Sequence, residues 1–126
     1  MTKQYHHIGL PAPDQESPIP GETYIEATDM WISSPDDHPQ RIEWLRYGPH
    51  SQTPDSFRRA PHLCYEVDNL QEYLTSIGSD ATPRPMGEPP FADVVFLNDG
   101  SGIEIEYIQV YPGRHWFDDK AKGLIP

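Results

Sequence analysis

The chain has 126 residues, of which 20 are acidic and 9 are basic, and its formal net charge is −11. This charge excludes nucleic acid and anionic membranes as main partners, because both bind through basic patches. The length predicts one domain with a single hydrophobic core. No apolar run is long enough to span a membrane, Cys64 is the single cysteine, and the N-terminal segment is polar and proline-rich. We therefore expect a cytoplasmic protein without a signal peptide or a disulfide.

The first half of the chain is predicted to contain strands and no helix. Alternating residues predict strands at 4–10 and 41–47, and a less regular strand at 24–33. Residues 11–23 include four prolines, which remove backbone donors and disfavour a helix. This segment is predicted to be an ordered loop.

The second half contains one predicted helix, between a strand at 61–67 and a proline-rich crossover at 79–90. Asp68 is a suitable N-cap for a helix at 68–77, and Gly78 supplies its end. Apolar residues recur at the i, i+3, i+4 and i+7 spacing of one helix face, namely at Leu70, Tyr73, Leu74 and Ile77.

A β-hairpin near the C-terminus is predicted to place acidic side chains among apolar ones. An apolar run at 94–97 is followed by a turn at 98–102 and a second strand at 103–109. Alternation puts Glu104 and Glu106 on the same face. Two carboxylates are costly to bury unless a cation or hydrogen-bond donors meet them, whereas an exposed acidic face is the ordinary alternative.

Four of the predicted strands each carry one candidate metal ligand. These are His7, Glu43, His62, and either Glu106 or Glu104. Imidazole nitrogens and carboxylate oxygens suit Zn, Ni, Co, Fe(II) or Mn. On its strand, His7 is expected to share a face with Tyr5 and Gly9. Each candidate also has an ordinary alternative, a half-buried histidine or, for Glu43, a salt bridge to Arg41 or Arg46.

Three short motifs occur in an order that resembles the vicinal oxygen chelate superfamily: HHIGL at 6–10, PHLCYEVDNLQEYL at 61–74 and DGSGIEIEYIQ at 99–109. This superfamily includes glyoxalase I, methylmalonyl-CoA epimerase, bleomycin resistance proteins and extradiol dioxygenases. The resemblance implies an α+β fold in which two βαβββ-type modules form a curled sheet cup around one divalent metal ion. The helix of the first module is expected to be replaced by the proline-rich loop.

The same resemblance divides the single glyoxalase-like domain at 1–126 into a first module at about 3–48, a second module at about 61–110 and a C-terminal tail at 111–126. The predicted elements follow this division, because each half begins with one strand and ends with two. We also expect a homodimer, since chains with one pair of modules associate in this superfamily. Large apolar side chains are expected to supply the interface, from Trp31, Trp44, Trp116 and Phe117.

The resemblance also implies the ligand set and the chemistry. His7, Glu43, His62 and Glu106 match the ligand positions for one divalent ion (Zn, Ni, Co, Fe or Mn), and the closing motif D-P-D-G-N-x-I-E-L selects Glu106 rather than Glu104. The expected activity is that of a lyase or isomerase of the glyoxalase or epimerase type. Its substrate would be a small carbonyl or vicinal-oxygen compound, with Glu43 or Glu106 as the catalytic base.

Two alternatives follow from the same residues. If Glu43 does not bind the metal, then His7, His62 and Glu106 form a two-histidine, one-carboxylate face, which suits a non-haem Fe(II) dioxygenase or a thiol-transferring resistance enzyme. The third possibility is a non-catalytic protein that binds or sequesters a small molecule. Such proteins usually lack the ligand set, and metal content separates them from the enzymes.

Overall fold

A computed structural model describes residues 2–87, 89–98 and 100–121 of the chain. It shows a mixed α+β structure in which a strongly curled, eight-stranded sheet forms a half-barrel. The strands are β1 (Gln4–Pro11), β2 (Thr23–Ile25), β3 (Met30–Ile32), β4 (Ile42–Tyr47), β5 (His62–Glu66), β6 (Arg84–Gly87), β7 (Pro90–Asn98) and β8 (Glu104–Val110). The helices of the described residues are short: α1 (Asp55–Arg58), α2 (Leu70–Ser76) and α3 (Trp116–Ala121), with 3-10 turns at Glu26–Thr28 and Pro35–Asp37.

The strand order is β2-β3-β4-β1-β5-β8-β7-β6, so the two halves of the chain meet at the central β1–β5 pair. β1 and β5 are antiparallel to each other. Each is parallel to the last strand of its own half, β4 and β8 respectively. The outer neighbours are antiparallel hairpins. The pairing pattern is therefore the same in both halves.

The two faces of the sheet pack against different groups. α2 covers one face with Leu70, Tyr73 and Leu74, which pack with Tyr107 and Val95. The other face holds a larger core to which strands from both ends of the sheet contribute, so it lies inside the curl. This core contains Ile25, Ile32, Leu45, Cys64, Phe91, Ala92, Val94, Ile108, Trp116 and Phe117.

Several predicted elements are confirmed. The strands predicted at 4–10, 41–47 and 61–67 correspond to β1, β4 and β5, and the hairpin corresponds to β7 and β8. No helix forms in the proline-rich loop at 11–23. The predicted turn at 98–102 includes Asp99, and the predicted tail ends at 122–126; those residues lie outside the described part of the chain.

The helix prediction needs a correction at its start. The residue that caps α2 is Asn69, not Asp68, because the Asn69 side chain accepts a hydrogen bond of 3.0 Å from the backbone N–H of Glu72. Asn69 has an extended backbone, and the helix begins at Leu70. Ile77 follows the helix and is 47% exposed.

Three other predictions are wrong in detail. Residues 24–33 form the β2–β3 hairpin and not one strand, because Asp29 adopts a left-handed conformation (φ 47°) that ends a 3-10 turn. The first half, for which no helix is predicted, contains the four-residue helix α1, and the crossover at 79–90 contains strand β6. The tail includes helix α3. None of the helices in the part of the chain that is described is long and apolar enough to cross a membrane.

Candidate metal centre

Three predicted ligands meet at the centre of the sheet. His7 lies on β1, His62 on β5 and Glu106 on β8, which are neighbouring strands. Glu106 Oε1 is 3.6 Å from His7 Nε2 and 3.7 Å from His62 Nε2, and one ligand atom from each residue lies within 4.8 Å of the others. All three side chains are buried.

The register of the strands explains this convergence. Cys64 is the partner of His7 on one side and of Glu106 on the other, so these three residues form a row across the sheet. His62 is two residues from Cys64 and therefore shares its face. Cys64 is buried, and its thiol donates a hydrogen bond to the carboxylate of Glu106.

A β-bulge at His6 changes the predicted face of the first strand. The register shifts between Tyr5 and His7, which adds one residue to β1 and reverses the alternation. His7 consequently faces the inside of the sheet, whereas Tyr5 packs against Tyr65 on the other face. The predicted grouping of Tyr5 with His7 is wrong, because alternation does not continue through a bulge.

Gly9 makes room for one of the candidate ligands. It is the β1 partner of His62, and a Cβ at this position would overlap the imidazole ring. The absence of a side chain lets the ring of His62 lie directly against the backbone of β1. The glycine of the HHIGL motif is therefore required by packing at the centre.

The polar atoms of the centre are suited to an ion. His7 Nε2 and Glu43 Oε1 are buried without a hydrogen-bond partner, although buried polar atoms are normally paired. With bonds of about 2.1 Å, two ligand atoms of a tetrahedral ion lie about 3.4 Å apart. The separations of 3.6 and 3.7 Å are close to that value and too long for ordinary hydrogen bonds. The three residues thus fit a divalent metal ion.

Glu43 lies beside this centre and faces two partners. Its Oε1 is 3.8 Å from His7 Nε2, and its Oε2 is 3.5 Å from Lys120 Nζ on α3. The side chain is fully buried. Glu43 does not pair with Arg41 or Arg46, which bind Asp36 and Glu22 instead.

No sequence pattern places Lys120 among the candidate site residues. It lies 77 residues from Glu43 in the chain, and the tail has no clear helical period. The aromatic residues Trp116 and Phe117 were the sequence feature that could have indicated it. If Trp116 is buried at the start of a helix, Lys120 lies four residues later on the same helix face.

Glu104 lies at the start of β8, where it is the register partner of His62, but it is not in the cluster that His7, His62 and Glu106 form. It is half-buried, and Asn98 Nδ2 lies 3.5 Å from its Oε1. Glu106 is two residues further along the strand, at the level of His7 and Cys64. The structure therefore brings Glu106, and not Glu104, to the two histidines.

Burial controls the charges of the centre. It lowers the pKa of His62 to about 4 and holds the pKa of His7 well below its usual value, so both imidazoles are neutral at pH 7. Burial raises the pKa of Glu106 to about 7, with Lys120 opposing this shift and Glu43 adding to it. Burial also raises the pKa of Glu43 against the opposing charge of Lys120. Neutral imidazoles have the lone pairs that a metal needs.

Outer contacts orient His7. Its Nδ1 is 2.7 Å from His6 Nδ1, and one of these two atoms must carry the proton between them. When His7 Nδ1 donates, its Nε2 is left with a free lone pair, which is the arrangement that a metal ligand requires. The ring of Trp116 packs against both histidines at centroid distances of 6.1 Å.

A cavity of about 150 Å³ opens beside the centre. Glu43, His62, Glu106 and Lys120 form its polar side. Its remaining walls are mostly apolar, from Met30, Leu45, Tyr47, Phe57, Met86 and Phe96, with Thr28 and Thr53. Phe57 and Phe96 meet edge to face at 5.1 Å, and Phe96 is 43% exposed. The arrangement is suited to a small, partly apolar ligand that reaches the polar side.

Comparison of the chain with protein-family models, with curated proteins and with solved structures finds no match.

Proposed function

We propose that the protein is a divalent-metal-dependent lyase or isomerase of the vicinal oxygen chelate type. Its substrate would be a small carbonyl compound with two neighbouring oxygen atoms. The convergence of His7, His62 and Glu106 within 4.8 Å carries this proposal. The strand order supports an assignment to two βαβββ-type modules, because each half has its first strand parallel to its last.

The residues divide into ligands and a proton carrier. His7 Nε2, His62 Nε2 and Glu106 Oε1 hold the ion, which when bound supplies Lewis-acid polarisation of a substrate oxygen. Glu43 is the catalytic base, because its Oε1 faces the centre without a hydrogen-bond partner. Lys120 holds the other oxygen, Oε2, at 3.5 Å. Glu43 thus accepts the substrate proton at Oε1.

The apolar walls of the cavity have a second role. They exclude water from the centre, which strengthens the electrostatic interactions between the charged groups inside. They also prevent loss of the transferred proton to solvent. Leu45 and Met86, on opposite sides of the curl, are two of these walls.

A second candidate function is a non-haem Fe(II) dioxygenase. The ion pair between Glu43 and Lys120 favours it, because it draws one carboxylate away from the ion and leaves a two-histidine, one-carboxylate face. Iron in the purified protein and oxygen consumption with substrate would support this alternative. Zinc, nickel or cobalt without oxygen consumption would support the lyase or isomerase.

Metal analysis of protein purified without chelators or metal-affinity resin tests the proposal. We expect about one divalent ion per chain, a marked loss in Glu106→Gln because an amide is a weaker ligand than a carboxylate, and little change in Glu104→Gln. Both variants replace a carboxylate with an amide, at positions two residues apart on the same strand. Each is therefore a control for the other. If Glu104→Gln loses metal and Glu106→Gln does not, the ligand on β8 is Glu104, and the match of this strand to the family motif is wrong by two residues. If neither variant nor His7→Ala changes metal content, a non-catalytic binding protein replaces the enzyme.

A further inference from the structure

Lys120 is the one cation that lines the cavity among the residues described at 2–87, 89–98 and 100–121. Helix α3 carries it to the centre from the C-terminal segment. Its side chain is 13% exposed, and its Nζ also lies 5.3 Å from the ring centroid of Trp116. A lysine in such a position requires negative charge nearby.

Within the described part of the chain, the contacts of Lys120 do not use all of its donors. An ammonium group has three N–H donors, and the distance of 3.5 Å to Glu43 Oε2 is at the long limit of a hydrogen bond. The face of the Trp116 ring accepts no more than one of the others. At least one donor is therefore available to a ligand in the cavity.

The charges of the cavity favour one class of ligand. Glu43 and Glu106 contribute two negative charges and Lys120 contributes one positive charge. A divalent ion at the proposed centre leaves one net positive charge. Because an uncompensated charge in a buried cavity is unfavourable, a ligand with a single negative charge fits best. A neutral ligand leaves the excess positive charge, and a dianion reverses it.

The size and walls of the cavity limit the rest of the ligand. Its volume of about 150 Å³ suits a small organic molecule. A short apolar chain fits against Leu45, Met86 and Phe96.

We propose that Lys120 makes the site selective for a small monocarboxylate with a second oxygen on the adjacent carbon, such as a 2-oxo acid with a short apolar chain. One carboxylate oxygen accepts a hydrogen bond from Lys120 Nζ, and the neighbouring oxygens face the ion. This inference rests on the proposed function, since the ion supplies both the second contact and the charge balance.

Calorimetric titration of the zinc-loaded full chain tests this selectivity. The probes are 2-oxobutanoate, its neutral analogue 2,3-pentanedione, in which an acetyl group replaces the carboxylate, and the dianion 2-oxoglutarate. We expect 2-oxobutanoate to bind about tenfold more tightly than either of the others, because it gains a charge-assisted hydrogen bond. Equal binding of 2-oxobutanoate and 2,3-pentanedione would overturn the inference.

Two lysine variants assign the effect to Lys120. Lys120→Met is expected to retain zinc and to lose the preference for 2-oxobutanoate. It should bind 2,3-pentanedione at least as tightly as the unchanged protein does, because the excess positive charge is gone. Lys3→Met removes the same charge from an exposed lysine that lies over the Tyr65 ring on the other face, and it should retain the preference. A Lys120→Met protein that still prefers 2-oxobutanoate would contradict the assignment.

The outcomes also separate this inference from the proposed function. A protein that binds zinc without preferring the monoanion overturns the role of Lys120 alone. A protein that binds no zinc overturns the proposed function and this inference with it. If Lys120→Met does not fold, titration of the unchanged protein with the three probes still decides whether the site prefers a monoanion.

Discussion

Gly9 shows at the scale of one residue how a missing side chain creates a candidate ligand position. The ring of His62 occupies the space that a Cβ on Gly9 would fill. Gly9→Ala should therefore displace the ring and weaken zinc binding by about tenfold or more, with an overpacking cost of about 1–3 kcal/mol in stability. Competition with a coloured chelator measures the affinity, and urea unfolding measures the stability.

A double-mutant cycle provides the control for Gly9. In a His62→Ala background the ring is absent, so Gly9→Ala should have little further effect on zinc affinity or on stability. If Gly9→Ala has the same effect in both backgrounds, its effect does not act through His62.

The pKa of Glu106 predicts how the proposed zinc binding depends on pH. Below the pKa of about 7, the metal-free carboxyl group holds a proton that must leave when zinc binds. Above it, no proton remains to be released. The imidazole of His62, with a pKa of about 4, has already lost its proton near pH 6. Zinc affinity should therefore rise with pH up to about 7 and then level off.

Calorimetry in two buffers with different ionisation enthalpies measures this proton release. Near pH 6 we expect release of about one proton per zinc ion, falling towards zero at about pH 8. Glu104→Gln should behave like the unchanged protein. Zinc binding without proton release near pH 6 would mean that Glu106 is already ionised in the metal-free protein.

At the scale of elements, the short helix α3 contributes both packing and a charge to the candidate metal centre. Its first residue, Trp116, is 2% exposed and packs against His6, His7 and Phe91. Its fifth residue, Lys120, contacts Glu43. The helix thus closes one side of the core and contributes a charge to the cavity.

Trp116→Ala tests this structural role. Removal of a fully buried aromatic ring should cost about 3–5 kcal/mol in the free energy of unfolding. Trp44→Ala removes the same side chain from a half-buried position beside the proline-rich loop and should cost clearly less. Urea unfolding of both variants makes the comparison. A loss in Trp116→Ala well below about 3 kcal/mol would show that α3 is not part of the cooperative core.

The sequence predicted those parts of the fold that depend on local pattern. Alternation located β1, β4 and β5, and the 3.6-residue period located α2, because burial of one face imposes these periods directly. The bulge at His6 and the helix α3 were missed, since one inserted residue and a six-residue helix have no period to detect. Lys120 was missed for the same reason: its contact with Glu43 depends on tertiary packing alone.

The candidate site also divides into residues that local pattern predicts and contacts that depend on tertiary packing. His7, His62, Glu43 and Glu106 were predicted one strand at a time, and the structure brings them together because the register aligns their strands. The choice of Glu106 over Glu104 needed the family resemblance, since both residues share a face. The pairing of Lys120 with Glu43 Oε2, the oxygen that does not face His7, was outside what alternation could show.

At the scale of the whole molecule, only some of the residues predicted to form the homodimer interface are exposed enough to do so. Trp116 and Phe117 are 2% and 9% exposed within the single chain, so they belong to its core and not to an interface. Trp31 is half-buried and packs beneath the guanidinium of Arg46, at 3.8 Å from the ring centroid. The homodimer remains a prediction that Trp31, Trp44 and the family resemblance support.

The net charge makes this association depend on salt in a defined direction. Two copies with a formal charge of −11 each repel one another, and salt screens that repulsion over a Debye length of about 10 Å at 0.1 M. Sedimentation equilibrium should therefore show a dimer at micromolar concentration whose dissociation constant falls as sodium chloride is added. Arg46→Ala, which removes one more positive charge and uncovers Trp31, should strengthen the salt dependence if Trp31 lies at the interface. A chain that stays monomeric at high salt would contradict the dimer, and association that weakens with salt would show that ion pairs, and not apolar contacts, hold the copies together.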